Sequence, residues 1–85
     1  MNAIAKLQVR AIKFNFLINQ RVYELDERRK ASPTIHLSKH LELALEQELV
    51  MLRKFRGVAL FELMNSGLSH RAYLKFIEVY ANDGH

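Results

Sequence analysis

His36 and His40 stand four residues apart, the spacing that puts two imidazoles on one face of a helix, as two zinc ligands must be. The chain holds no cysteine, and no carboxylate recurs at a spacing that would complete a tetrahedral set. The intervening Leu37, Ser38 and Lys39 also lack the glutamate that a metalloprotease helix carries beside its first histidine. Ser69 and His70 are a nucleophile and a base side by side, but neighbours on a helix project to different sides and do not meet within hydrogen-bonding distance. Glu42 and Glu46 share a face, yet a catalytic carboxylate pair needs one member desolvated, and their surroundings are polar. Gly57, Gly67 and Gly84 are the three glycines, so no glycine-rich phosphate loop exists. The expectation is a protein without metal, cofactor or catalysis, one that works by binding.

The cations say more about what it would bind. No acidic residue precedes Glu24, and Lys6, Arg10 and Lys13 fall within about 60° of one another on a helix, with Arg21 near the same strip. Like charges at these spacings repel, and at the start of a helix the dipole opposes them as well. Residues 1–40 carry 8 bases against 3 acids, or +5, whereas residues 41–85 carry 5 against 6, or −1. An uncompensated strip of this kind fits phosphates, with counterion release as its driving force. A second basic group, His70, Arg71 and Lys75, opens the last predicted helix, and residues 58–81 have the outline of a helix-turn-helix, whose second helix reads the major groove. By contrast Arg21, Glu24 and Arg28, and likewise Asp26 and Lys30, are spaced for intrahelical pairing on a solvated face.

These residues must be carried by helices. Leu, Ala, Glu, Lys, Arg and Gln dominate, and β-branched residues seldom alternate with polar ones. A first helix is predicted over about 3–29, with Ile4, Leu7, Ala11, Phe14, Ile18, Val22 and Leu25 on one stripe. Val9, Ile12, Phe16 and Tyr23 make a second stripe, with Gln8, Asn15, Asn19 and Asp26 between the two. Such a helix is roughly 40 Å long, and a compact globule of this size is roughly 30 Å across, so the second stripe calls for a partner surface. A second copy is the simplest supplier, with Val9, Ile12, Asn15, Phe16, Asn19 and Tyr23 as the dimer or partner interface and Asn15 or Asn19 setting register.

Residues 30–34, Lys30 to Thr34 with Pro33, read as a linker. The helical region over about 35–65 has Ser32 or Ser38 as candidate N-cap and Leu37, Leu41, Leu45, Leu49, Leu52 and Phe55 as its apolar face, backed by Leu43, Ala44 and Val50. Arg53, Lys54 and Arg56 precede Gly57, which would end or interrupt that helix; beyond it Val58, Ala59, Leu60, Phe61, Leu63 and Met64 read as buried core. Ser69 caps a last helix over about 69–81 with Tyr73, Phe76, Ile77 and Tyr80 inward, and residues 82–85 fray.

The fold class expected is therefore all-α: one domain over 1–85, a small bundle of three to four helices with a long N-terminal helix and a C-terminal helix-turn-helix-like hairpin. Its size excludes a Rossmann unit, a barrel or an interdomain cleft. The absence of cysteine and of a secretory or membrane-spanning segment points to the cytoplasm, and membrane association ranks last. Two functions compete for a homodimer of this kind. A nucleic-acid-binding regulator of transcription, using Lys6, Arg10, Lys13, His70, Arg71 and Lys75, ranks first on charge asymmetry. The alternative is a protein-interaction module, adaptor or inhibitor, that lays its exposed apolar stripe on another protein.

Overall fold

The computed structural model describes the backbone of residues 2–31 and 36–81, and side chains within those ranges apart from residues 31 and 36–38. The linker, the Ser32 cap and the fraying C-terminus expected from the sequence lie outside the described residues. Three helices account for the rest: α1 over Ala3–Ala31, α2 over His36–Met64 and α3 over His70–Tyr80. No strand occurs among the described residues.

The chain starts α1 with a cap the sequence reading did not name: Asn2 Oδ1 accepts from the Ala5 N–H at 2.7 Å. From there the predicted three-four stripe turns inward. Ala11, Ile18 and Leu25 are buried, with Ile4, Leu7, Phe14 and Val22 packed beside them. The stripe meets α2, which runs back antiparallel along it. Paired residues fall in α2 as they rise in α1: Arg10 with Glu62, Asn15 with Arg56, Arg21 with Glu48, and Arg29 with Glu46. Both helices have 29 residues, each about 43 Å long, and the molecule measures 50 × 19 × 18 Å.

This elongated hairpin corrects the expectation of a globule. Its radius of gyration is 15.5 Å, against about 12 Å for a compact chain of this length. Two helices of equal length cover most of one stripe of each other, and α3 closes the end where Ala11 lies.

The core divides in two. One cluster, Ile18, Leu25, Leu49 and Leu52, joins α1 and α2 alone. The other, Ala11, Ala59, Leu63 and Phe76, brings in α3, with Tyr73 and Tyr80 packed against it. Ile18 and Leu63 are fully buried, a gain of about 1.5–3 kcal/mol each. Between the clusters, Arg56 Nη1 donates to Asn15 Oδ1 at 2.9 Å, both residues being buried.

Several expectations change here. Helix α2 passes straight through Gly57, so Arg56 is no helix-end cation but a buried partner of Asn15. The first arm of the helix-turn-helix outline is the end of α2, not a separate short helix. Residues 58–64 are not wholly core: Ala59 and Leu63 are buried, whereas Val58, Phe61 and Met64 are open to solvent, because a helix lying on one neighbour buries only one side. Ser38 falls inside α2, and Lys30 pairs with Glu27 in place of Asp26.

The turn from α2 to α3 is closed by polar groups. Asn65 Nδ2 donates to the Phe61 carbonyl at 2.9 Å and Ser66 Oγ to that of Leu63 at 2.6 Å, satisfying carbonyls that a helix end leaves open. Gly67 follows at φ 95°, a conformation that costs any residue with a Cβ. Ser69 then caps α3 as the sequence indicates, its Oγ accepting from the Ala72 N–H at 3.2 Å.

Candidate partner-binding face

Helix α1 has two sides because α2 covers only one. Val9, Phe16 and Tyr23 recur at seven-residue intervals and lie roughly opposite Ala11, Ile18 and Leu25 at about 100° per residue. They are 42%, 61% and 68% exposed, so among the described residues this side of α1 is largely uncovered. A second apolar stripe was legible in the sequence, and the structure leaves its three-residue centre line uncovered.

The basic strip lies along the same side. Lys6, Arg10 and Lys13 are exposed, and with Val9 they line a shallow hollow of ≈ 280 Å³. Arg10 and Lys13 continue into a second hollow of ≈ 330 Å³ with Phe14, Phe16 and Leu17. A third, of ≈ 470 Å³, follows between Phe16, Asn19, Gln20, Arg21, Tyr23 and Glu24. The three are open hollows between neighbouring α1 side chains, with Arg10, Lys13 and Phe16 each lining two of them. Arg10 is held loosely by Glu62 at 3.7 Å, both side chains half exposed, a pairing of little energetic weight. At the other end Arg21 Nε donates to Glu48 Oε1 at 2.9 Å and Nη1 to Glu24 Oε2 at 3.3 Å. The hydrogen bond to Glu48, and then the charge of that carboxylate, hold the Arg21 guanidinium above its ordinary range. Arg21 is thus tied to α2 and stands apart from the three cations before it.

Two residues assigned to the interface are turned elsewhere. Asn15 is buried and accepts from Arg56 between α1 and α2, so its side chain is not presented on the outer side of α1. Ile12 packs against the cluster that α3 completes. Asn19 stays exposed beside Phe16 and Tyr23.

The second basic group is not on this face. His70, Arg71 and Lys75 are exposed, but α3 sits over the Ile12 side of α1, and Lys6, Arg10 and Lys13 lie about 100–160° around the helix from Ile12. Arg71 and Lys75 also share the outer surface of α3 with Glu78, Leu74 and Val79. The six cations named from sequence therefore form two separate groups. Among the described residues, no cluster of three or more His, Cys, Asp or Glu could hold a metal, and no helix is long and apolar enough to cross a membrane.

The sequence reading missed the outer side of α2. Leu43, Val50, Met51, Val58, Phe61 and Met64 are each about half exposed, on the side turned away from Leu45, Leu49, Leu52, Ala59 and Leu63. The signal was present: at about 100° per residue, Leu43, Val50 and Phe61 fall within roughly 20° of one line, opposite the leucine stripe.

Comparison with known proteins finds no match: no protein-family model, no curated protein and no solved structure is significantly similar to this chain.

Proposed function

We propose that the protein is a non-enzymatic protein-interaction module that receives a partner along the outer side of α1, with Phe16 at the centre. The observation that supports this reading is the coincidence of two features on one surface: an apolar line, Val9, Phe16 and Tyr23, and the cations Lys6, Arg10 and Lys13 beside it. Aromatic side chains are enriched at the centre of interfaces, and cations at the edge select the partner by charge. The fitting partner is an amphipathic helix with an apolar seam and acidic flanks, laid over these hollows.

Fluorescence anisotropy of a labelled leucine- and glutamate-rich helical peptide tests it, with a leucine- and lysine-rich peptide of equal length as control. Binding of the acidic peptide alone is expected, weakened about tenfold or more by Phe16→Ala, the loss expected of a central anchor. Equal binding of both peptides, or of neither, refutes the reading.

A nucleic-acid-binding regulator is the second reading, favoured by the exposed Lys6 and Lys13, which have no ion pair among the described residues. Three phosphate contacts would give a log–log salt slope of about −3 on duplex DNA. That binding would be lost with Lys6→Glu plus Arg10→Glu and kept with Phe16→Ala, the reverse weighting of the protein-docking case.

A further inference from the structure

We infer that the outer side of α2 is a self-association surface, on which a second copy of this chain docks antiparallel through its own α2. This goes beyond the α1 reading and uses none of its residues.

The argument begins with area. A compact monomer of 10.0 kDa exposes about 5,200 Å² by the usual scaling, whereas this chain exposes 6217 Å². The excess, about 1,000 Å² over the whole elongated chain, leaves room for the about 800 Å² that each partner buries in a standard interface. Leu43, Val50, Met51, Val58, Phe61 and Met64 form an apolar band on α2 about 32 Å long. Gln47 and Lys54 interrupt the band, but six large apolar side chains gathered on one side of a helix mark an interaction surface. Helix α3 has 11 residues and covers one end of the hairpin, so among the described residues nothing covers this band along its length.

The band is also self-complementary. Helix α2 spans His36–Met64, so full antiparallel overlap of two copies centres on Val50. Val50 then meets its own equivalent. Leu43 of one copy comes level with Gly57 of the other, where a Cβ would find nothing within 4 Å. A leucine thus enters the space that the glycine leaves. Glu46, which is half exposed and also reaches Arg29 of its own chain, comes level with Lys54, so an acid of one copy lies near a base of the other. A parallel pairing would set like against like, and antiparallel helix dipoles also attract. The charges and the glycine select the same arrangement, and a twofold pair closes on itself without forming a fibre.

The test is solution mass by light scattering and sedimentation at several concentrations. The wild-type protein is expected to be a dimer, and Val50→Arg a monomer of unchanged helix content. Phe16→Arg, on the opposite surface, is expected to remain dimeric. A wild-type monomer at about 100 μM, far above the micromolar dissociation constant of a modest apolar interface, overturns the inference, as does a Val50→Arg dimer. Because the native chain has no cysteine, single cysteines report the register directly. Under mild oxidation Val50→Cys is expected to cross-link to its own copy. Leu43→Cys, about 21 Å from its equivalent in this arrangement, is not. Cross-linking of Leu43→Cys without Val50→Cys overturns the antiparallel pairing, whatever the peptide assays on α1 show.

Discussion

Asn15 and Arg56 are buried polar residues between two apolar clusters, and replacing them tests how the hairpin is held. In Asn15→Leu the guanidinium loses a hydrogen bond of 2.9 Å within a buried setting. A hydrogen bond to a charged group contributes about 1.5–3 kcal/mol, and at about 4–8 °C per kcal/mol in a domain of this size the melting temperature should drop by about 10 °C. Arg56→Leu leaves the Asn15 carbonyl oxygen without this donor and should cost about 1–3 kcal/mol. The double variant removes both polar groups and leaves two leucines of suitable size facing each other. Its cost should fall well below the sum of the single ones, since apolar replacement of a buried polar pair is often neutral or stabilising by about 1–4 kcal/mol. The assay is thermal and urea unfolding followed by circular dichroism at one fixed protein concentration, which keeps any association constant. If the double variant equals the sum of the singles to within about 0.5 kcal/mol, the two residues are not coupled and the reasoning fails.

Other substitutions probe the remaining elements. Leu63→Ala opens a cavity at a fully buried position where α1, α2 and α3 meet and should cost about 2–5 kcal/mol by urea titration. Ser69→Ala removes the cap of α3; a loss of about 1 kcal/mol is expected, with faster hydrogen exchange at the Ala72 amide and unchanged exchange in the distal half of the hairpin. Gly57→Ala should raise monomer stability by about 0.5–1 kcal/mol, because Gly57 lies in the interior of a helix and a methyl group there meets no neighbour; a lower melting temperature for the monomeric Val50→Arg protein carrying this change would contradict it.

How far the sequence discloses this molecule depends on the element. The inner stripe of α1 is plain from Ile4 to Leu25 because its period is unbroken, and α3 is equally plain because Ser69 and its aromatic face agree. Gly57 misleads: a glycine costs about 1 kcal/mol in a helix, which the packing of α2 along all of α1 overrides. Helix α2 is apolar on two sides, so composition alone does not decide whether Leu49 or Val50 faces inward; that choice follows from which side α1 occupies. Arg56 carries no sign of burial in the sequence, since its partner Asn15 lies 41 residues away. The site is half legible for the same reason. Val9, Phe16, Tyr23 and the three early cations share one helix and can be placed by spacing, whereas the separation of His70, Arg71 and Lys75 from them depends on the side of α1 on which α3 lands.

The position of the polar pair also bears on why this hairpin has one register. Ala11, Ile18 and Leu25 repeat every seven residues, so the apolar inner face of α1 is nearly unchanged by a seven-residue slide of α2. Burial alone therefore discriminates poorly between the registers. A slide in one direction would set Asn15 against Leu63, and in the other against Leu49, burying its amide beside a hydrocarbon at a cost of about 1–3 kcal/mol. Arg56 would move against Val22 or Gln8, and the Arg21–Glu48 and Arg29–Glu46 pairs would part together. Each of these penalties is modest; they act in concert because a slide incurs all of them at once. The expectation is that the pair between the two clusters acts as a single buried asparagine does in a coiled coil, and an Asn15→Leu, Arg56→Leu double variant that keeps one set of amide resonances in an NMR spectrum would refute it.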